Sequence, residues 1–101
     1  MEIKSLSGFV WDYMASHDYC SRVIISGKFI DDFKIKREKG EEKKMQQRAI
    51  GRKIASMFTI MRGLGIVSKH TQRTVHVNRE VFEAFSLQDV LKCRLSDFYK
   101  Q

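Results

Sequence analysis

Cations at helical spacing are the residues of this chain best equipped to act on another molecule. Lys44, Arg48, Arg52 and Lys53 fall within one short segment, and Lys69 and Arg73 follow it. Lysine and arginine neutralise phosphates, and arginine also reads guanine edges through paired hydrogen bonds. Among the neutral residues, Gln47 can pair with adenine, and Ser56 is a second base-edge candidate. His70 lies between Lys69 and Arg73, where an imidazole donates to phosphate or is simply exposed. The chemistry on offer is recognition of a polyanion.

Bond-making chemistry has little to stand on. His17, His70 and His76 are separated, and none sits in an H-x-x-x-H or H-x-H setting. Asp31 and Asp32 are adjacent, and helical geometry splays neighbours apart. There is no G-x-x-x-x-G-K-[ST] loop. Cys20 and Cys93 have no Cys or His neighbour at ligand spacing, so no zinc motif is present. A long-range disulfide, an intermolecular bridge and two free thiols all stay open, with free thiols the default for an intracellular chain. The expectation is a protein without catalytic residues, cofactor or metal.

The charge is localised. The chain of 101 residues carries a net +7. Residues 1–33 hold three basic and five acidic side chains, residues 34–53 nine and three, and residues 54–101 seven and four. Most of the excess therefore lies in one segment. A solvated helix face is the plain reading of such a run; its place beside a hairpin favours an anion-binding face. With 43% apolar and 11% aromatic residues the chain can bury a core, and its length suits one domain. It has no proline and six glycines, which favours helices. No apolar run approaches the length of a membrane span. No run followed by a small-residue cleavage site marks a signal peptide.

The elements that must position these cations follow from periodicity. Leu6, Phe9, Val10, Tyr13 and Met14 recur at helical spacing and predict a helix over 5–17, capped by Ser5 or Ser7. Trp11 lies off that stripe, either exposed or at the edge of the core or a dimer contact. Arg22-Val23-Ile24-Ile25 is a β-branched run, read as a third strand against a later hairpin or as an extended buried loop. Ser26 caps a short second helix over 27–35, with Phe29, Ile30 and Phe33 inward. Residues 36–40 read as a polar loop.

The main helix spans about 42–62, its first turn marked by Glu41 and Glu42. Met45, Ala49, Ile50, Ile54, Met57, Phe58 and Met61 form its buried stripe. Lys44, Gln47, Arg48, Gly51, Arg52, Ala55 and Thr59 lie opposite, with Gln46, Lys53 and Ser56 on the flanks. Gly51 implies close approach of a backbone, or a kink. Gly63 or Gly65 is the left-handed C-cap. Residues 66–69 and 74–77 are hairpin strands, with Val75 and Val77 toward the core. The connection His70-Thr71-Gln72-Arg73 lacks a tight-turn dipeptide and reads as a longer loop. Asn78 caps a helix holding Val81, Phe82 and Phe85 inward. Ser86 and Asp89 form an S-x-x-D capping signature. Leu87, Val90, Leu91, Leu95 and Phe98 then make one more amphipathic helix, which caps the core or pairs with a second copy.

The order helix, short strand, helix, helix, hairpin resembles that of winged helix-turn-helix domains. The carrier is the run from Ile54 to Lys69, IASMFTIMRGLGIVSK. It is similar to the family pattern of a recognition helix ending in an apolar pair, a glycine turn into the wing, and a return through a V-x-V strand. The resemblance implies an α+β, mostly helical fold: a three-helix core plus a β-hairpin wing over residues 1–85, with an added C-terminal helix over 86–101. It implies double-stranded DNA as partner, with helix 42–62 in the major groove and wing 69–74 on the backbone or minor groove. The DNA-binding candidates are then Lys44, Gln47, Arg48, Arg52, Lys53, Ser56, Lys69, His70 and Arg73. The expected role is a small transcriptional regulator, sequence-specific or architectural, homodimeric through its C-terminal helix. It would work where DNA is, in the cytoplasm (nucleoid) or a nucleus, and away from membranes. The alternative is a winged helix serving as a protein-interaction module in a larger assembly.

Overall fold

The first helix, α1 (Ile3–Ala15), buries Leu6, Val10 and Met14 at steps of four residues. The computed structural model describes residues 3–32 and 41–98, and side chains for 6–31 and 47–98. Ser7 falls inside α1 and does not cap it, and the Ser5 side chain lies outside the described ones. The helix closes early, with the amides of Ser16 and His17 donating back to the Tyr13 and Met14 carbonyls. Trp11 stacks on Phe82 with ring centroids 4.4 Å apart, which places it at the edge of the core.

The third strand of the sheet exists, but not where the β-branched run predicted it. Strand β1 is Tyr19–Ser21, and Arg22 already begins helix α2 (Arg22–Asp32). The Ser21 hydroxyl accepts from the Ile24 amide at 3.5 Å and caps that helix. Ser26, the expected cap, lies within α2 and donates to the Val23 carbonyl. The physical reason is the spacing of Ile25 and Phe29. Four residues apart, both are buried in the core, whereas Val23 and Ile24 are 66% and 52% exposed. Burial at helical period overrides β-propensity. Residues 33–40, including the end predicted for this helix and the polar loop, lie outside the described residues.

Helix α3 (Glu41–Gly63) matches its predicted span. Ile54, Met57, Phe58 and Met61 are buried as expected, and Ile60 joins them. Ala49 is exposed, and Ile50 is half-buried and packs against the core. The glycine pair divides two tasks. Gly65 has φ +83°, and the Ile66 and Gly65 amides donate to the Met61 and Arg62 carbonyls, a Schellman cap. Gly63 is still helical, and a Cβ there would overlap the Phe98 ring.

Strands β2 (Val67–Lys69) and β3 (Thr74–Val77) form the hairpin. The sheet is antiparallel in the order β1-β3-β2. Cys20, Val67, Val75 and Val77 share its buried face. Register pairs Lys69 with Val75, which turns Lys69 toward α3 rather than away from it. At the tip, the Thr71 hydroxyl accepts from the Arg73 and Thr74 amides and bonds the Thr74 hydroxyl at 2.7 Å. That side chain supplies the turn chemistry the sequence seemed to lack.

Helix α4 (Arg79–Ala84) follows Asn78, which occupies the N-cap position without a side-chain cap bond. Arg79 matters more. Its guanidinium donates to the Met14, Ala15 and His17 carbonyls at 2.9–3.3 Å and to Asp18 Oδ1 at 2.9 Å. It thereby satisfies the open end of α1 and ties it to α4. Replacing Arg79 with alanine is expected to destabilise the fold by about 1–3 kcal/mol, since the carbonyls lose a charged donor. Thermal unfolding checks it: at this chain length each kcal/mol shifts Tm by roughly 4–8 °C. Lysine, lacking the fork, should recover only part of the loss.

Ser86 and Asp89 form the expected capping box at the start of α5 (Leu87–Leu91). The Ser86 amide, donating to the Asp89 carboxylate, holds that carboxyl below its ordinary range. The single C-terminal helix predicted through Phe98 is corrected: α5 stops at Leu91, and Leu95–Phe98 is a 3₁₀ turn. The turn brings Phe98 onto Gly63 of α3. Val90 is buried, and Leu87, Cys93, Leu95 and Phe98 pack on the same core. The apolar stripe thus serves the chain's own core, and Leu91 stays 48% exposed. The result is an α+β, mostly helical fold with a small three-stranded antiparallel sheet. Among the described residues no helix is long and apolar enough to cross a membrane.

Candidate functional site

Two grooves adjoin along the polar side of α3, and the first turn of α2 is their shared wall. One, of about 490 Å³, is lined by Gln47, Arg48, Gly51 and Arg52 of α3 and by Arg22, Val23, Ser26 and Gly27 of α2. The other, of about 560 Å³, runs from Arg22 and Val23 past Thr59 and Arg62 to Lys69, Arg73 and Thr74 of the hairpin. Among the described residues six cations line the pair, Arg22, Arg48, Arg52, Arg62, Lys69 and Arg73, and no acidic residue does. A concave surface lined by one sign of charge focuses its field on an incoming anion.

Local sequence explains how the cations gather. Arg48 and Arg52 are one helical step of four apart, so they project together from α3. Arg22 follows the cap Ser21 and so stands in the first turn of α2. Its Cδ lies 4.0 Å from where a Cβ on Gly51 would sit. That is an ordinary van der Waals distance, so a methyl at Gly51 would still fit beside the stem, and α3 runs through the position as continuous helix. Lys69 reaches the groove through strand register, and Arg73 through the Thr71-locked tip.

The residues expected to bind sort into three groups. Gln47, Arg48, Arg52, Lys69 and Arg73 line the grooves. Lys53 and Ser56 do not. They line a separate cleft with Leu6, Ser7 and Val10 of α1. Helical phase puts both on a flank of α3, and only tertiary packing decides that this flank faces α1. His70 is also elsewhere, its ring 4.6 Å from that of exposed Tyr19, while His76 approaches Tyr19 at 5.0 Å. The Lys44 side chain lies outside the described ones.

Arg22, Val23, Thr59, Arg62 and Thr74 were not anticipated at the site. Arg22 and Val23 were hidden by the strand reading of their segment. The available signal was Ser21 three residues before Ile24, with Ile25 and Phe29 at helical spacing. Thr59 was on the polar face but carried no role. Arg62 was absorbed into the helix end.

Both cysteines are free. Burial pushes the Cys20 thiol up to about 11, against a smaller opposing pull from Arg79. That keeps Cys20 a protonated core residue and a poor nucleophile at neutral pH. Among the described residues no three His, Cys, Asp or Glu side chains gather closely enough to hold a metal ion. Compared with protein families, with curated proteins and with solved structures, the chain finds no match.

Proposed function

We propose that this protein binds double-stranded DNA as a winged helix-turn-helix domain, with α3 in the major groove and the hairpin loop 69–74 on the adjoining backbone or minor groove. The observation that carries the reading is the pair of grooves lined, among the described residues, by six cations from α2, α3 and the hairpin and by no acid. The element order, with β1 outside a β2–β3 hairpin and next to β3, supports it as the arrangement such domains use. Helix α3 has 23 residues, about 35 Å at 1.5 Å per residue, and a bare α-helix fits a major groove roughly 12 Å wide. The proposed role is a small regulator of transcription, sequence-specific or architectural, acting in the nucleoid or a nucleus.

The hairpin cations supply the test of geometry. Replacing Lys69 or Arg73 with alanine is expected to weaken binding about equally for all duplex sequences. Each should also reduce the salt slope by roughly one phosphate contact. Fluorescence anisotropy with unrelated duplexes over a salt series reads both effects. Losses confined to one sequence would contradict a backbone role for the hairpin.

A second reading, docking of a protein partner, draws on the exposed apolar Val23 and Ile24. It predicts salt-insensitive association and no mobility shift with any duplex. A homodimer through the C-terminal segment is the weaker part of the proposal. With Val90 buried and Phe98 packed on α3, Leu91 is the large apolar residue that the described part of that segment still exposes.

A further inference from the structure

Val23 stands where an apolar side chain is least expected. It is 66% exposed on the first turn of α2 and forms part of the wall of both cationic grooves. Arg22 precedes it, Arg48 and Arg52 face it across one groove, and Lys69 and Arg73 across the other. The neighbouring helix ends and loops offer many positions for an exposed residue, yet a branched apolar one sits inside the ring of cations. Burial does not explain it, because its own core partner on that turn is Ile25, which is fully buried. A ligand that fits this arrangement is a polyanion that also carries an apolar group at its recognition edge.

Duplex DNA has one such group in the major groove, the C5-methyl of thymine. We infer that Val23 contacts a thymine methyl and sets a preference for an A·T pair at one position of the bound site. The inference rests on the DNA-binding reading and adds a specificity residue from α2 to the helix that reading puts in the groove. The hairpin cations hold the backbone by its phosphates in any sequence, whereas Val23 gains only where a methyl is present to be covered. Cytosine, guanine and adenine present no methyl there, and uracil is thymine without it.

The test uses duplexes that the full chain enriches from a random pool. Each thymine of an enriched site is replaced in turn by deoxyuridine, which removes the methyl and nothing else. At one or two positions the replacement is expected to weaken binding by wild-type protein about fourfold, the loss of one buried methyl. The Val23→Ala protein should bind the thymine and uracil forms equally. Arg48→Ala, weaker overall, should still tell them apart. Because Val23 is exposed, its replacement leaves the core intact, and circular dichroism verifies this. Enriched duplexes bound without any thymine–uracil difference, or a difference that survives in Val23→Ala, would overturn the methyl contact and leave DNA binding standing. Binding with no enriched sequence would do the same. Failure to bind any duplex would remove the DNA reading and the methyl contact together, and would turn Val23 and Ile24 toward a protein partner.

Discussion

Arg48→Ala and Arg52→Ala are each expected to weaken duplex binding by about 1–3 kcal/mol where they touch base edges, and together by more than either alone. The two residues lie one helical turn apart on the exposed side of α3 and line the same groove. Being close, they share neighbours, so the double mutant need not equal the sum. Neither side chain is buried, and fold stability should move by no more than about 0.5 kcal/mol. Arg22→Ala should behave like them, because Arg22 lines the same groove. Lys53→Ala is the internal control. Its charge is the same, and it is next to Arg52 in sequence, but it faces the cleft against α1. A loss at Lys53 as large as that at Arg52 would mean that net charge, not the groove, sets affinity. Titration of one labelled duplex with the four single variants and the double mutant at fixed salt separates these outcomes.

Met61→Ala is expected to destabilise the fold by roughly 2–5 kcal/mol, the range for emptying a large core site. Met61 is fully buried, and its carbonyl accepts from the Ile66 amide in the cap that ends α3. Its side chain belongs to the cluster that joins α1, α3, the sheet and α5. A domain of this size holds only about 5–15 kcal/mol in total, so the variant should approach the edge of stability at room temperature. Urea unfolding measures it, with the slope unchanged if the denatured state is unaffected. A loss under 1 kcal/mol would mean that α3 is not anchored at its C-terminal end as described.

Much of α3 and the hairpin was legible in the sequence because several local signals agree there. Glu41 and Glu42 mark the start, the stripe from Ile54 to Met61 marks the buried face, and the glycines mark the stop. Arg22–Ile25 was illegible because β-branched residues favour strand locally, and only the distant partners of Ile25 and Phe29 reward a helix. The Ser86–Asp89 box was readable for the opposite reason, since it is entirely local. The end of α5 was not, because it depends on Phe98 meeting Gly63 across the fold. The site divides in the same way. Arg48, Arg52 and Gln47 followed from the phase of one helix, and Lys69 and Arg73 from the hairpin. Arg22 and Arg62 join them only once α2, α3 and β2 are packed together. Lys53 and Ser56 line the cleft against α1 instead, because phase alone cannot say which flank of α3 meets α1.

The most direct test of the central claim is the affinity of the wild-type chain for a random-sequence duplex across a salt series. With four to six of the groove cations on phosphates, the logarithm of the affinity should fall linearly with the logarithm of salt, with a slope of roughly −3.5 to −5.5. No binding at low salt, or binding that salt does not weaken, would contradict it.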